Sequence, residues 1–141
     1  MLKPVFNVLS SLLFAAVVIQ VGLAGYGVFD ALHKAKSGPV SKQTIENGFD
    51  PHGFVGIVIL GVMVLLVLAA AAGKLGQTWL KWSVGLLVLG VIQMILGAVS
   101  SSVPVLGFVH GINALAIYAG AGLLTHRAWT HGKHAAPAPA G

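Results

Sequence analysis

Long stretches without a charged residue constrain this chain more than any other feature. Residues 4–29, 51–73 and 82–126 contain no Asp, Glu, Lys or Arg. A helix needs about 20 apolar residues to cross a bilayer, so the first two stretches supply one span each and the third supplies two. Only 8% of all residues are charged, and the mean hydropathy is +0.93. In soluble domains about a quarter of the residues are charged. We therefore predict an integral membrane protein.

The third stretch divides at 100–104, where three serines, a valine and a proline favour a helix end and a new start. The predicted fold class is all-α, an integral membrane four-helix bundle in one domain that spans residues 1–134. The first helix lacks a small-residue cleavage site before a soluble domain, so we expect a retained anchor. The small, proline-broken segment 135–141 is predicted to be a flexible tail. The four helices are predicted near residues 5–31, 52–72, 79–99 and 103–126.

An internal repeat organises these helices into two parallel hairpins. The tripeptide Val-Ile-Gln occurs at 18–20 and again at 91–93, and the dipeptide His-Gly occurs at 52–53 and again at 110–111. Because both hairpins would cross the membrane in the same sense, their pseudo-two-fold axis runs along the membrane normal. The repeat halves are about 5–73 and 79–127.

His52 and His110 are the candidate metal ligands. Ionisable groups within membrane spans are costly and are usually functional. The pseudo-two-fold axis would turn the two imidazoles toward each other across the bundle, which is what a six-coordinate haem iron needs. The chain has no cysteine, so thiolate sites and iron–sulfur clusters are excluded. The alternatives are an interfacial His52, and a His110 that is bonded to a neighbouring carbonyl.

The depth of His52 depends on where the second helix begins. Asp50 and Pro51 resemble an N-cap and a first-turn proline, which would place His52 near the membrane interface. His110 lies about two turns into the fourth helix, roughly 10 Å below its start. Equal depth requires the second helix to begin earlier, near Ile45, with Pro51 inside its first turns.

Small residues near the two histidines would leave space for a flat macrocycle. A small residue follows each histidine by four positions, on the same helix face. Further glycines on the first and third helices lie near the same membrane depth. The alternative is that these residues only let membrane helices pack closely. The candidate cofactor-binding residues are Gly56, Ala114, Gly22, Gly25 and Gly97.

Other polar residues have candidate supporting roles. Gln20 and Gln93 lie in apolar spans, where each amide must find a partner, either the other glutamine, a ligand or a neighbouring helix. A ligating imidazole needs its second nitrogen satisfied by a carbonyl, water or side chain, and Asn113 or a serine at 100–102 is a candidate. The candidates to meet haem propionates are His33, Lys34, Lys36 and Lys42; the alternative is a solvated loop.

The positive charges favour one orientation in the membrane. Lys3, Lys74, Lys81, Arg127 and Lys133 fall on one side with no acid among them. The other side carries three lysines together with all the acids, so we predict both termini in the cytoplasm and the cell inner (plasma) membrane as the location. The basic end is expected to face lipid headgroups rather than nucleic acid. It also contains His126, His131 and His134.

The third and fourth helices resemble one four-helix half of the haem A synthase family. The segments that carry the resemblance are Gln-Met-Ile-Leu-Gly-Ala at 93–98 and Val-His-Gly-Ile-Asn-Ala at 109–114. The resemblance implies haem b between histidines of the second and fourth helices, at the positions of His52 and His110. That family typically has a glutamate three residues before the second-helix histidine, linked to its hydroxylation chemistry, where this chain has Phe49. The resemblance therefore implies the haem ligands but not the catalysis.

Three hypotheses for the function remain. The first is a b-type cytochrome that transfers electrons between a redox partner and quinone or another haem. The second is a reduced haem-modifying enzyme, and the third is a cofactor-free accessory subunit of a larger membrane complex. We expect electron transfer or an accessory role rather than catalysis. The expected partners are the lipid bilayer, other membrane redox subunits or quinone, and either a second copy of the chain or a larger complex.

Overall fold

The protein is a four-helix bundle. The computed structural model describes residues 2–130, and no strand occurs among them. All four helices are long and apolar enough to cross a membrane, which confirms the predicted fold class and a multi-pass membrane protein. His131, Lys133, His134 and the predicted tail 135–141 lie outside the described residues. The helices are α1 (Lys3–Ala35), α2 (Lys42–Ala72), α3 (Gln77–Ser100) and α4 (Pro104–Thr130).

The helices form a ring in chain order. Each helix packs against the next, and α4 closes the ring against α1, while the diagonal pairs α1–α3 and α2–α4 have no backbone contact among the described residues. The connections are short, at 36–41, 73–76 and 101–103, so neighbouring helices run antiparallel. α1 and α2 are therefore one hairpin and α3 and α4 the other, as the repeat predicts.

Helix α2 begins ten residues before the predicted start, and the interpretation of Asp50 and Pro51 as its first residues is wrong. Its N-cap is Ser41, whose Oγ accepts a hydrogen bond from the Thr44 backbone N–H at 3.1 Å. Pro51 lies inside the helix. Hydropathy marks only the membrane-crossing part of a helix, so it misses a polar first segment that a good cap initiates.

Helix α1 also continues beyond its predicted end, to Ala35. Two ion pairs at helical spacing lie in these polar extensions. Lys34 Nζ contacts Asp30 Oδ2 at 2.6 Å in α1, and Lys42 Nζ lies 3.4 Å from Glu46 Oε1 in α2. Such pairs support helix outside the apolar spans, and most of the predicted long loop is therefore helical.

The buried core occupies only one half of the bundle. We call the half with the start of α1 and the end of α4 the basic end, and the opposite half the histidine end. Every buried apolar side chain lies on the basic side of Gln20, His52, Gln93 and His110 along its helix. On the other side of these four residues, only Gly27 and Gly48 are buried within residues 2–130. The buried apolar residues are Phe6, Leu13, Val17, Ile59, Met63, Leu66, Ala69, Ala70, Leu86, Ile117, Ala121, Leu124 and Ala128.

The outer surface is apolar, as a bilayer requires. Phe29, Phe54 and Phe108 are 72%, 68% and 71% exposed. In water such an exposed set would be unfavourable, whereas lipid tails solvate it as well as a protein core does. The bundle thus presents apolar side chains to lipid and places its few polar side chains inside or at its ends.

Candidate functional site

The structure brings His52 and His110 together at the centre of the histidine end. His52 comes from α2 and His110 from α4, the diagonal pair of the ring. Their ring centroids are 6.2 Å apart and their planes are inclined by 55°. The early start of α2 places His52 in its third turn, and His110 lies in the second turn of α4. Helix α2 thus begins before Ile45 and contains Pro51, which is the condition for the two histidines to lie at equal depth.

The Nδ1 atoms of both histidines make the same contact in the two hairpins. His52 Nδ1 donates to the backbone carbonyl of Gln20 at 3.1 Å, and His110 Nδ1 donates to that of Gln93, also at 3.1 Å. A carbonyl oxygen can only accept, so each imidazole carries its proton on Nδ1. The proton on Nδ1 leaves the Nε2 lone pair of each ring as the acceptor, the atom that would bind a metal.

The Nε2 atoms have different surroundings. Gln93 Nε2 donates to His110 Nε2 at 3.0 Å, and Asn113 Nδ2 donates to Gln93 Oε1 at 2.7 Å. In the other hairpin, Gln20 Nε2 donates to the His52 backbone carbonyl at 2.7 Å instead. Gln20 Oε1 is buried without a hydrogen bond, and His52 Nε2 has no partner within residues 2–130. Both glutamines join the helices of their own hairpin and do not bond each other.

Two of the predicted small residues lie at the site. A Cβ on Gly97 would lie 3.2 Å from His110 Cε1, and one on Gly56 would lie 3.2 Å from Gln20 Nε2. Ala114 is half-buried on α4, one turn beyond His110. Gly22 and Gly25 face open space, where a Cβ would meet nothing within 4 Å. Gly56 and Gly97 therefore allow the two helices of each hairpin to approach closely at the site, and Gly22 and Gly25 do not.

Sequence reasoning missed the packing of Phe49. Its ring meets the His52 ring edge-on at 6.3 Å between centroids and 88° between planes. The same ring lies against Gly27 of α1, where a Cβ would be 2.9 Å from it. The spacing of Phe49 and His52 on one helix face is a signal in the sequence, but its contact with Gly27 depends on how α1 and α2 pack.

The other predicted supporting residues either make a contact within their own helix or are exposed without an ion pair among the described residues. Ser100 donates to the carbonyl of Leu96 in its own helix rather than to a histidine. Lys34 and Lys42 are held in the ion pairs of the helix extensions. The side chains of His33 and Lys36 are exposed and have no ion pair within the described residues.

The two histidines are the candidate ligands that the structure brings together. No group of three or more His, Cys, Asp or Glu side chains that would hold a metal ion occurs within residues 2–130. A bare ion such as zinc usually takes four ligands, whereas a haem iron needs only two from the protein because the macrocycle supplies the rest. With metal–nitrogen distances of about 2 Å, two opposed imidazoles have ring centres about 6 Å apart. The observed distance of 6.2 Å between the ring centroids agrees with that value.

Comparisons with protein families, curated proteins and solved structures found no match for this chain. The resemblance to the haem A synthase family therefore stays a prediction, based on the segments around Gln93 and His110. The chemistry of the site has to be inferred from its own geometry.

Proposed function

We propose that this protein is a small b-type cytochrome of the membrane, with one haem b held between His52 and His110. The observation that carries the proposal is the pair of imidazoles with ring centroids 6.2 Å apart, each of which donates its Nδ1–H to a backbone carbonyl. In both rings Nε2 is therefore the acceptor atom. Bound haem would supply one-electron redox chemistry, with a potential tuned by its axial ligands and burial.

The residues around the histidines orient them for ligation. The carbonyls of Gln20 and Gln93 hold each imidazole in one tautomer and raise its basicity, as partners of metal-bound histidines commonly do. A lone pair serves one partner at a time, so the Gln93 amide must turn away from His110 Nε2 for this histidine to bind iron. His52 Nε2 needs no such change.

The lack of buried apolar side chains at the histidine end supports a group between the helices. No apolar side chain is buried beyond the level of the histidines within the described residues, although protein interiors are normally close-packed. A macrocycle would fill this part of the bundle with apolar surface. The exposed side chains of His33 and Lys36 at the same end are proposed partners for its propionates.

The proposed location is the cell inner (plasma) membrane with both termini in the cytoplasm. The basic end carries Lys3, Lys74, Lys81 and Arg127 without an acid, which favours this end as the cytoplasmic one. The haem would then lie toward the outer face. Electrons would pass between a membrane redox subunit and quinone or another haem.

The visible spectrum of the detergent-purified protein tests the proposal. The wild type is compared with His52→Ala, His110→Ala and His126→Ala, each expressed with added haem. The His126 variant is the matched control, because His126 is an exposed histidine at the opposite end of α4. We expect sharp reduced-minus-oxidised bands in the wild type and the control. Both site variants should lose them, since each removes one of the two histidines that would hold the haem.

A colourless wild type after expression with haem would contradict the proposal. It would instead support a cofactor-free accessory subunit, the second candidate function. One observation favours that candidate, because Gln93, His110 and Asn113 already satisfy one another without a ligand. In that case the three residues act only to join α3 and α4.

A further inference from the structure

A cavity at the basic end has no role in the proposed haem site. It has a volume of about 450 Å³ and lies between the start of α3 and the end of α4. Trp82, Leu124 and Arg127 contribute side chains to its wall. Its size falls within the range of about 300–1,000 Å³ that small-molecule sites occupy.

The cation in this cavity has no acid to pair with. The Arg127 guanidinium lies 4.9 Å from the centre of the Trp82 ring. The chain contains three acidic residues, Asp30, Glu46 and Asp50, and all of them belong to the histidine end. No acidic side chain of the protein therefore lies at this end to pair with Arg127, which favours an anion from outside.

A smaller cavity of about 80 Å³ adjoins the first and shares Leu75 and Trp79 with it. Lys3 and Asn7 of α1 also line it. The Asn7 Oδ1 atom is buried and accepts no hydrogen bond. A buried acceptor without a donor is costly, so this cavity favours a group that brings a hydroxyl or ammonium donor.

We infer that these two cavities form a binding site for an anionic phospholipid whose headgroup carries hydroxyl groups. The phosphate pairs with Arg127 and a headgroup hydroxyl donates to Asn7 Oδ1. Tryptophans at the end of a membrane helix lie at the headgroup level, and basic pockets between membrane helices on the cytoplasmic side bind anionic headgroups. The inference is independent of haem, because the site is at the opposite end of the bundle.

Lipid titration followed by native mass spectrometry tests this inference on the full-length protein in detergent. The probes are phosphatidylglycerol, phosphatidic acid, which lacks the glycerol hydroxyls, and phosphatidylcholine. Arg127→Gln is compared with Lys81→Gln, because Lys81 is an exposed cation of α3 that does not line either cavity. We expect Arg127→Gln to bind both anionic lipids about five-fold more weakly and Lys81→Gln to bind like the wild type.

A second variant tests the headgroup hydroxyl. Asn7→Ala removes the orphan acceptor, so we expect it to weaken phosphatidylglycerol binding and to leave phosphatidic acid binding unchanged. The unfolding temperature of each variant in lipid-free detergent checks that the bundle is intact.

Three results would overturn the inference. The first is equal phosphatidylglycerol binding by Arg127→Gln and Lys81→Gln. The second is wild-type binding of phosphatidylcholine as tight as that of phosphatidylglycerol. The third is that inorganic phosphate alone raises the unfolding temperature as much as phosphatidylglycerol does. This result would assign the cavity to free phosphate rather than lipid.

Discussion

At the scale of single residues, the two glutamines of the repeat show how one pattern serves two environments. The backbone carbonyls of Gln20 and Gln93 each accept a hydrogen bond from a histidine Nδ1–H. Only Gln93 also engages the imidazole Nε2 and a third side chain, Asn113. The hairpins are therefore equivalent in how they orient the histidines and different in how their side chains are satisfied.

This difference predicts unequal stability losses for the two matched substitutions. Gln93→Leu removes two side-chain hydrogen bonds and leaves Asn113 and His110 each short of one partner, whereas Gln20→Leu removes one bond and an already unpaired oxygen. We expect Gln93→Leu to cost about 1–2 kcal/mol and Gln20→Leu about 0.6 kcal/mol or less. Thermal unfolding of haem-free protein in detergent measures both. Equal losses would show that the Gln93 side-chain bonds contribute nothing.

A second residue-scale prediction concerns the glycine beside the α4 histidine. Gly97→Ala would place a methyl group 3.2 Å from His110 Cε1, so the imidazole must shift by a few tenths of an ångström. We expect a lower haem content per protein, because ligation depends on the position of the ring. Gly25→Ala, which faces open space on α1, is the control. Unchanged pigment in Gly97→Ala would show that the His110 ring has room to move.

At the scale of helices, the polar extension of α2 decides where the histidine lies. Ser41 caps the helix, and the segment before Pro51 stays helical although it is too polar to cross a membrane. This extension packs closely on the end of α1, where Gly27 meets the Phe49 ring and Gly48 meets the Asp30 carboxylate. A Cβ at either position would be only 2.9 Å from its neighbour, so the Phe49 ring or the Asp30 carboxylate would have to shift.

Gly27→Ala is therefore predicted to destabilise the α1–α2 hairpin. The added methyl group has to displace the Phe49 ring, and such overpacking typically costs about 1–3 kcal/mol. Gly22→Ala on the same helix faces open space, so it should be neutral or slightly stabilising, since alanine favours helix over glycine. Chemical or thermal unfolding of the two variants gives the comparison. A Gly27→Ala protein as stable as Gly22→Ala would contradict this packing.

At the scale of the whole molecule, packing and charge both divide the bundle into two ends. The basic end holds the buried apolar core, and the histidine end holds the histidine pair and all three acids. The basic end supplies most of the packing that stabilises the bundle. The histidine end, which has no buried apolar side chain among the described residues, is where we propose that a ligand lies between the helices.

Because the buried core lies in the basic end, we predict that truncating a leucine there destabilises the protein more than truncating a leucine at the histidine end. Leu66 in α2 is fully buried, and Leu96 in α3 at the histidine end is half-buried. We expect Leu66→Ala to cost roughly 2–5 kcal/mol, and Leu96→Ala to cost less than about 1 kcal/mol in haem-free protein. Unfolding measurements on the two variants give both losses in the free energy of unfolding. Similar losses would show that the histidine end is as well packed as the basic end.

The proposed orientation predicts the sidedness of labelling. The chain has no cysteine, so single substitutions Ser37→Cys and Gln77→Cys report on the two ends without background. A membrane-impermeant maleimide should label Ser37→Cys in intact spheroplasts and Gln77→Cys only after permeabilisation. The reverse pattern would place the termini outside and would contradict the orientation that we predict from the charge bias.

The sequence by itself determined the four spans, the all-α class and the equivalence of the two hairpins. It did so because apolar length and repeated residues need only neighbours along the chain to be recognised. It also indicated His52 and His110, since a titratable group inside an apolar span is rarely accidental.

Only the tertiary structure decided the depth of His52, the carbonyl partners of both histidines and the close fit of Gly27 against Phe49. These features depend on how far a polar segment continues a helix and on which faces meet across the bundle. Both are set by packing between residues distant in sequence, which hydropathy and local spacing do not encode.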